Sequence, residues 1–132
     1  MVSPILWQSK KIPRVTKSSL ASETLGVGEA VDAGIFIVNL MMEVYRLDNS
    51  PAVTCYTEGK SLKIHLHSTN TISDSNLRVN MARFHQMVDL KEVTVVWIPG
   101  QCNVADVLTK RTASSEALLQ VLRSGVLYNG GN

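Results

Sequence analysis

Two short β-rich runs constrain this chain more than any other feature: Ala52-Val53-Thr54-Cys55-Tyr56-Thr57 and Val93-Thr94-Val95-Val96-Trp97-Ile98. Runs dense in β-branched and aromatic residues suit a pleated, buried surface and read as strands. The stretches around them carry apolar residues at helical spacing instead. Helices alternating with strands must bury one face each on a shared sheet, so the expected fold is an α/β layered domain.

The longest helix is expected to start at a Ser18 or Ser19 cap and run to about Leu47. Leu20, Val27, Ala30, Val31, Phe36, Ile37, Leu40, Met41, Val44 and Tyr45 supply its apolar positions. Gly26, Gly28 and Gly34 each cost it about 1 kcal/mol relative to Ala, which points to close packing on a sheet. Asp48-Asn49-Ser50-Pro51 stops it. A short helix over Ser61 to His67, a polar loop from Ser68 to Ser75 and a second firm helix to about Leu90 follow, the last with Leu77, Met81, Phe84 and Val88 on its apolar face. After the second strand come the breaker Pro99-Gly100, a short helix at Asp106 and a terminal helix from Ser114 to Arg123. Near the start, Ile5-Leu6-Trp7 predicts a short extended piece that ends at Pro13.

At 132 residues the chain fits one domain, expected over 1–123, with a loose tail over 124–132 that contains Gly130-Gly131. The net charge of +2 does not by itself argue for nucleic acid, but its distribution matters. Residues 1 to 22 contain no Asp or Glu and carry Lys10, Lys11, Arg14 and Lys17, a basic lead-in suited either to phosphates or to plain solvation. Cys55 and Cys102 are too few for a disulfide framework, so an intracellular setting is expected. The apolar window Ala33 to Met42 falls short of the roughly 20 residues that span a bilayer, and no signal peptide is visible. The window is expected to be a buried helix segment, with no membrane partner.

Three acids fall at element ends: Glu23 in the first turn or so of the long helix, Glu58 just past a strand, and Asp106 at a helix start. Carboxylates from separate elements that meet at one sheet edge can hold Mg²⁺ ions and position water for phosphodiester cleavage. Taken singly, Glu23 and Asp106 are as well explained by compensation of a helix dipole, and Glu58 by an ordinary turn. His65 and His67 alternate around Leu66, yet without a closing motif they argue little for zinc. Met41, Met42, Met81, Met87 and Trp97 read as core, Arg78 and Arg83 as solvated surface, and Trp7 as an aromatic that can stack on a base or sugar.

Four segments, in order, resemble one family. Trp7-Gln8-Ser9-Lys10-Lys11 is similar to a Trp-Ser-Ser-Lys-Lys strand end, and Ser18 to Ala30 to a Ser-Ser-x-x-Ala-Glu-x-x-Ala-x-x-Glu-Ala helix start. Thr57-Glu58-Gly59-Lys60-Ser61 is similar to an Asp-Asn-x-Ser strand end, and Ala105-Asp106-Val107-Leu108-Thr109-Lys110 to an Ala-Asp-x-Leu-Thr-Lys motif. Together they resemble the ribonuclease H domain of copia-type (LTR) retrotransposon Pol polyproteins. The resemblance implies a ribonuclease H-like layered fold, a mixed five-stranded sheet with helices on both faces, that cuts the RNA strand of RNA–DNA hybrids with Mg²⁺ or Mn²⁺. It makes Glu23, Glu58 and Asp106 the metal-binding, catalytic carboxylates, places Lys10 and Lys11 on the hybrid backbone, and implies a reverse transcriptase portion as polyprotein partner.

The departures are as specific as the matches. The family's first catalytic Asp lies on an initial strand, and nothing acidic precedes Glu23 here, so the expected fold lacks that first strand, either cut off or never present. Glu58 stands where the family has Asp, and Gly59 where it has Asn. The added methylene moves the carboxylate by more than an ångström, a misplacement that can cost about 100-fold in rate. Gly100-Gln101-Cys102-Asn103 offers no His for proton transfer. The chain alone is therefore expected to be a weak or inactive nuclease, with a noncatalytic nucleic-acid-binding or scaffold remnant as the alternative.

Overall fold

The computed structural model describes residues 1–12, 18–66 and 74–127. They fall into two compact units, Ile12–Val96 and a second made of Met1–Lys11 with Trp97–Asn132.

The larger unit begins with α1 (Ser19–Tyr45), and the Ser18 hydroxyl caps it by accepting from the Ala21 N–H at 3.2 Å. The helix stops at Arg46, whose left-handed backbone (φ 52°) turns its N–H back onto the Met42 carbonyl. β1 (Val53–Thr57), α2 (Lys60–Leu66), α3 (Ser75–Asp89) and β2 (Val93–Trp97) follow. Asp74 caps α3, its carboxylate accepting from the N–H groups of Asn76 at 2.9 Å and Leu77 at 3.3 Å. β1 and β2 pair in parallel, and Val53 N–H donates to the Glu92 carbonyl at 2.9 Å, so the strands start level. A parallel pair needs a long crossover, here the segment that contains α2 and α3. The chain thus mixes helix and parallel strand, as an α/β reading requires. In place of a mixed sheet, the described residues form a parallel pair alone. Ile5-Leu6-Trp7 takes no regular secondary structure and is exposed.

One apolar cluster holds the larger unit together. Val27 and Val31 of α1 meet Cys55 of β1, Leu62 and Leu66 of α2, Val93 of β2, and the α3 row Leu77, Met81, Phe84 and Met87. Met87, not Val88, completes that row, because the step from Phe84 continues at three residues. Thr24 is buried beside the cluster, its hydroxyl donating to the Leu20 carbonyl at 2.7 Å. Of the helix's three glycines, Gly34 is the one that meets the sheet: a Cβ there would lie 2.9 Å from Val53 Cγ1. Gly28 faces the rim of the Phe84 ring and Gly26 faces open space.

The expected burial of Ala33–Met42 is not found. Phe36 is 69% and Leu40 50% exposed, and Val44 beyond them 65%. The cause is that α1 carries apolar residues nearly all round, whereas β1 and α3 cover one side of it. The apolar stretch also reaches beyond residues 33–42, and by length and composition α1 is long and apolar enough to cross a membrane.

In the second unit a 3-10 turn (Gly100–Cys102) leads to α4 (Asp106–Thr109) and α5 (Glu116–Ser124), with Ile98, Cys102 and Val121 buried. Gly125 ends α5 in the left-handed region (φ 65°), donates its N–H to Val121 at 2.8 Å and accepts from Val2 N–H at 2.6 Å. Of the expected tail, Ser124 therefore closes a helix, Gly125 is bonded on both sides, and residues 128–132 lie outside the described ones. A Cβ at 125 would also lie 2.7 Å from Met1 Cγ. Gly125→Val is expected to lower stability by about 1–2 kcal/mol through the left-handed backbone alone, read as a fall in the urea midpoint with unchanged slope.

Candidate functional site

The end of β1 builds a small polar corner. Thr57 is buried, and its Oγ1 accepts from the Gly59 N–H at 3.1 Å, a side-chain turn that swings the chain into α2. Into this turn leans Glu23 of α1. A Cβ on Gly59 would lie 2.8 Å from Glu23 Cδ and overlap its carboxylate, so the missing side chain at 59 makes the space that Glu23 fills. Glu58, half-buried, precedes that glycine directly. Of the three expected carboxylates, Glu23 reaches this corner, and Glu58 stands next to it in the chain.

Glu23 Oε2 is buried and has no hydrogen-bond partner. An orphaned polar atom of this kind costs about 1–3 kcal/mol, more when charged, and is rarely kept without a use. Helix-dipole compensation does not account for it, since Glu23 lies in the second turn of α1 and the first turn holds no acid. Here the structure corrects the sequence placement. Gly59, read from sequence as a departure from Asn, is the residue whose importance sequence reasoning missed; its only signal was its position next to Glu58.

Asp106 opens α4 in the other unit, as expected. Its Oδ2 accepts from Lys110 Nζ at 2.8 Å, four residues on, and its Oδ1 from Asn103 Nδ2 at 3.2 Å. Asn103 also takes the Ala105 N–H at 3.1 Å. The Asn103 to Lys110 stretch is thus a local network that holds the carboxylate in place and balances its charge. Among the described residues no group of three or more His, Cys, Asp and Glu side chains converges. The orphaned Glu23 oxygen fits one cation contact, and Glu58, next to Gly59 in the chain, is a further oxygen donor of the kind Mg²⁺ takes.

Lys10 and Lys11 are exposed, as is Trp7 before them, and Arg14 and Lys17 lie outside the described residues. His65 Nδ1 is buried without a partner, and His67 lies outside the described residues. Met81 and Met87 are core, but Met41 is 38% exposed and Trp97 only half-buried, because their elements are covered on one side. Arg83, expected as solvated surface, is exposed and pairs there with Asp32 of α1. Burial pushes the Cys55 thiol up, which keeps it protonated and unreactive at neutral pH. A groove of about 280 Å³ between Ala52, Leu66, Val88 and Val93 holds no carboxylate and stands apart from the corner.

Glu23→Gln keeps the volume that fills the space over Gly59, so stability in metal-free buffer is expected to change by less than about 1.5 kcal/mol. The same change is expected to remove any rise in unfolding midpoint that Mg²⁺ gives the unaltered chain. Both are read by thermal and urea unfolding.

No protein-family model matches the chain, and no curated protein or solved structure matches it.

Proposed function

We propose that this chain is a retroelement-derived ribonuclease H-like domain whose ancestral reaction is Mg²⁺- or Mn²⁺-dependent hydrolysis of RNA in RNA–DNA hybrids, and that alone it is weak or inactive in that reaction. The observation that carries the reading is the orphaned, buried Glu23 oxygen set against Gly59 at the end of β1. It falls where the motif resemblance calls for a metal-binding carboxylate pair. Glu23 and Glu58 would hold the ion, which when bound supplies Lewis-acid stabilisation of a phosphoryl oxygen. Asp106, in the other unit, is the third carboxylate that the resemblance names, and Asn103 and Lys110 orient it.

Weakness follows from the chain's own residues. Glu58 is one methylene longer than the Asp it replaces, and Lys110 offsets the charge of Asp106. The acid-free segment that contains Lys10, Lys11, Arg14 and Lys17 supports a second reading, a noncatalytic module that binds hybrid or other nucleic acid within an intracellular particle or the nucleus, alongside a reverse transcriptase portion. A labelled RNA–DNA hybrid incubated with the purified chain in Mg²⁺ and in Mn²⁺ tests the first reading. Cleavage no greater than that of Asp106→Asn is expected. Robust cleavage that Asp106→Asn abolishes would overturn the assignment of weak activity.

A further inference from the structure

The side of α1 turned away from β1 and α3 carries an uncovered apolar row. Steps of four residues put Phe36, Leu40 and Val44 in one line along the helix, a span of about 12 Å, and all three are at least half exposed. Acids border its C-terminal end, Glu43 within the helix and Asp48 just past it, both exposed. No Lys or Arg lies between residues 18 and 45, and one cation, the exposed Arg46, stands between the two acids, which leaves that end net negative. The same chain carries the complement. Ile5 (71% exposed), Leu6 (61%) and Trp7 (69%) lead into Lys10 and Lys11, and from Trp7 to Lys11 an extended backbone reaches about 13 Å. In one molecule both surfaces are exposed.

We propose that the Ile5–Lys11 segment of one copy docks along the Phe36–Val44 row of a second copy, with Trp7 over Phe36 and Leu40 and the lysines at Glu43 and Asp48. Matching length, exposed apolar surface on both sides and opposite charge at the same end select this occupant. A lipid surface is disfavoured, because two acids and the single Arg46 at the end of the row fall short of the basic face that holds an interfacial helix on anionic membranes. The contact is head-to-tail, since the two patches differ, and it builds chains or rings instead of a closed symmetric pair.

Sedimentation velocity of the full chain over a range of concentrations tests this. Species larger than the monomer are expected, with the dissociation constant raised about tenfold or more by Trp7→Ser or by Leu40→Glu, as for a central aromatic anchor. Each variant keeps one half of the contact, so a mixture of the two is expected to form a one-to-one dimer and nothing larger. Glu43→Lys is expected to weaken association and to regain it with a copy that carries Lys11→Glu. Circular dichroism checks the fold of each variant, and Phe36→Ser and Leu6→Ser stand in for one that unfolds. A monomer at every concentration would overturn the proposal, as would association that Trp7→Ser leaves intact, or a variant mixture that stays monomeric. Monomer binding to phosphatidylcholine vesicles in place of self-association, lost in Leu40→Glu, would overturn it too.

Discussion

Leu62→Ala will lower the unfolding free energy by about 3–5 kcal/mol, the range for truncating a buried leucine whose neighbours cannot close the gap. Leu62 is 0% exposed and sits in the cluster where α2 meets α1, α3 and the sheet. Val31 and Val93, its companions in that cluster, are each 1% exposed and β-branched, so their side chains cannot swing in to fill the space. Small domains are stable by only about 5–15 kcal/mol, so this one change removes a large share of the total. Ile64 lies on the same helix but is 62% exposed, and Ile64→Ala is expected to stay within about 0.5 kcal/mol of the unaltered chain. Urea unfolding of the two variants separates burial from helix propensity. Equal effects would mean that α2 does not pack as described.

Gly34→Leu is the second large effect. A helical leucine gains about 1 kcal/mol of propensity over glycine, but a Cβ at 34 already lies 2.9 Å from Val53 Cγ1, inside contact distance. Val53 opens β1, and its branched side chain has little rotamer freedom with which to yield. The helix must then lift from the strand, and overpacking of this kind costs about 1–3 kcal/mol or more. A net loss of up to about 2 kcal/mol is expected from those two figures. Val53→Ala in the same chain should recover more than half of it, since the clash is with that side chain alone. Gly26→Leu, which faces open space, is expected to be stabilising. A destabilising Gly26→Leu with a harmless Gly34→Leu would contradict the packing of α1 on β1.

The elements that announce themselves by pattern were readable from the residues. Ser18 is a short polar cap ahead of a periodic apolar run, and its hydroxyl bonds a first-turn N–H of its helix. The two β-branched runs became the two strands, and Asp106 opens its short helix as its place after Pro99-Gly100 suggested. Burial was harder to read. Periodicity says that a residue is apolar, but not which side of α1 has a neighbour, so Phe36, Leu40 and Met41 look like core in sequence and lie at the surface. The same limit applies to Ile5-Leu6-Trp7, where local propensity favours extension but a strand also requires a paired edge. At the candidate site, the residue types of Glu23 and Glu58 were legible, whereas the packing of Glu23 against Gly59 was not. That contact depends on a space left by a missing side chain, and a single glycine in a turn carries no trace of what fills it. The Asn103–Asp106–Lys110 network was half legible, as a motif without its bonds.

Binding of an RNA–DNA hybrid by the purified chain as a function of salt tests the central claim most directly. With Lys10, Lys11, Arg14 and Lys17 as the phosphate contacts, four counterion-releasing charges, the logarithm of the binding constant is expected to fall against the logarithm of salt with a slope of about −3.6. Lys10→Glu with Lys11→Glu is expected to weaken binding and to flatten that slope by about half. Absence of hybrid binding even at low salt would contradict the assignment of this chain to nucleic-acid work.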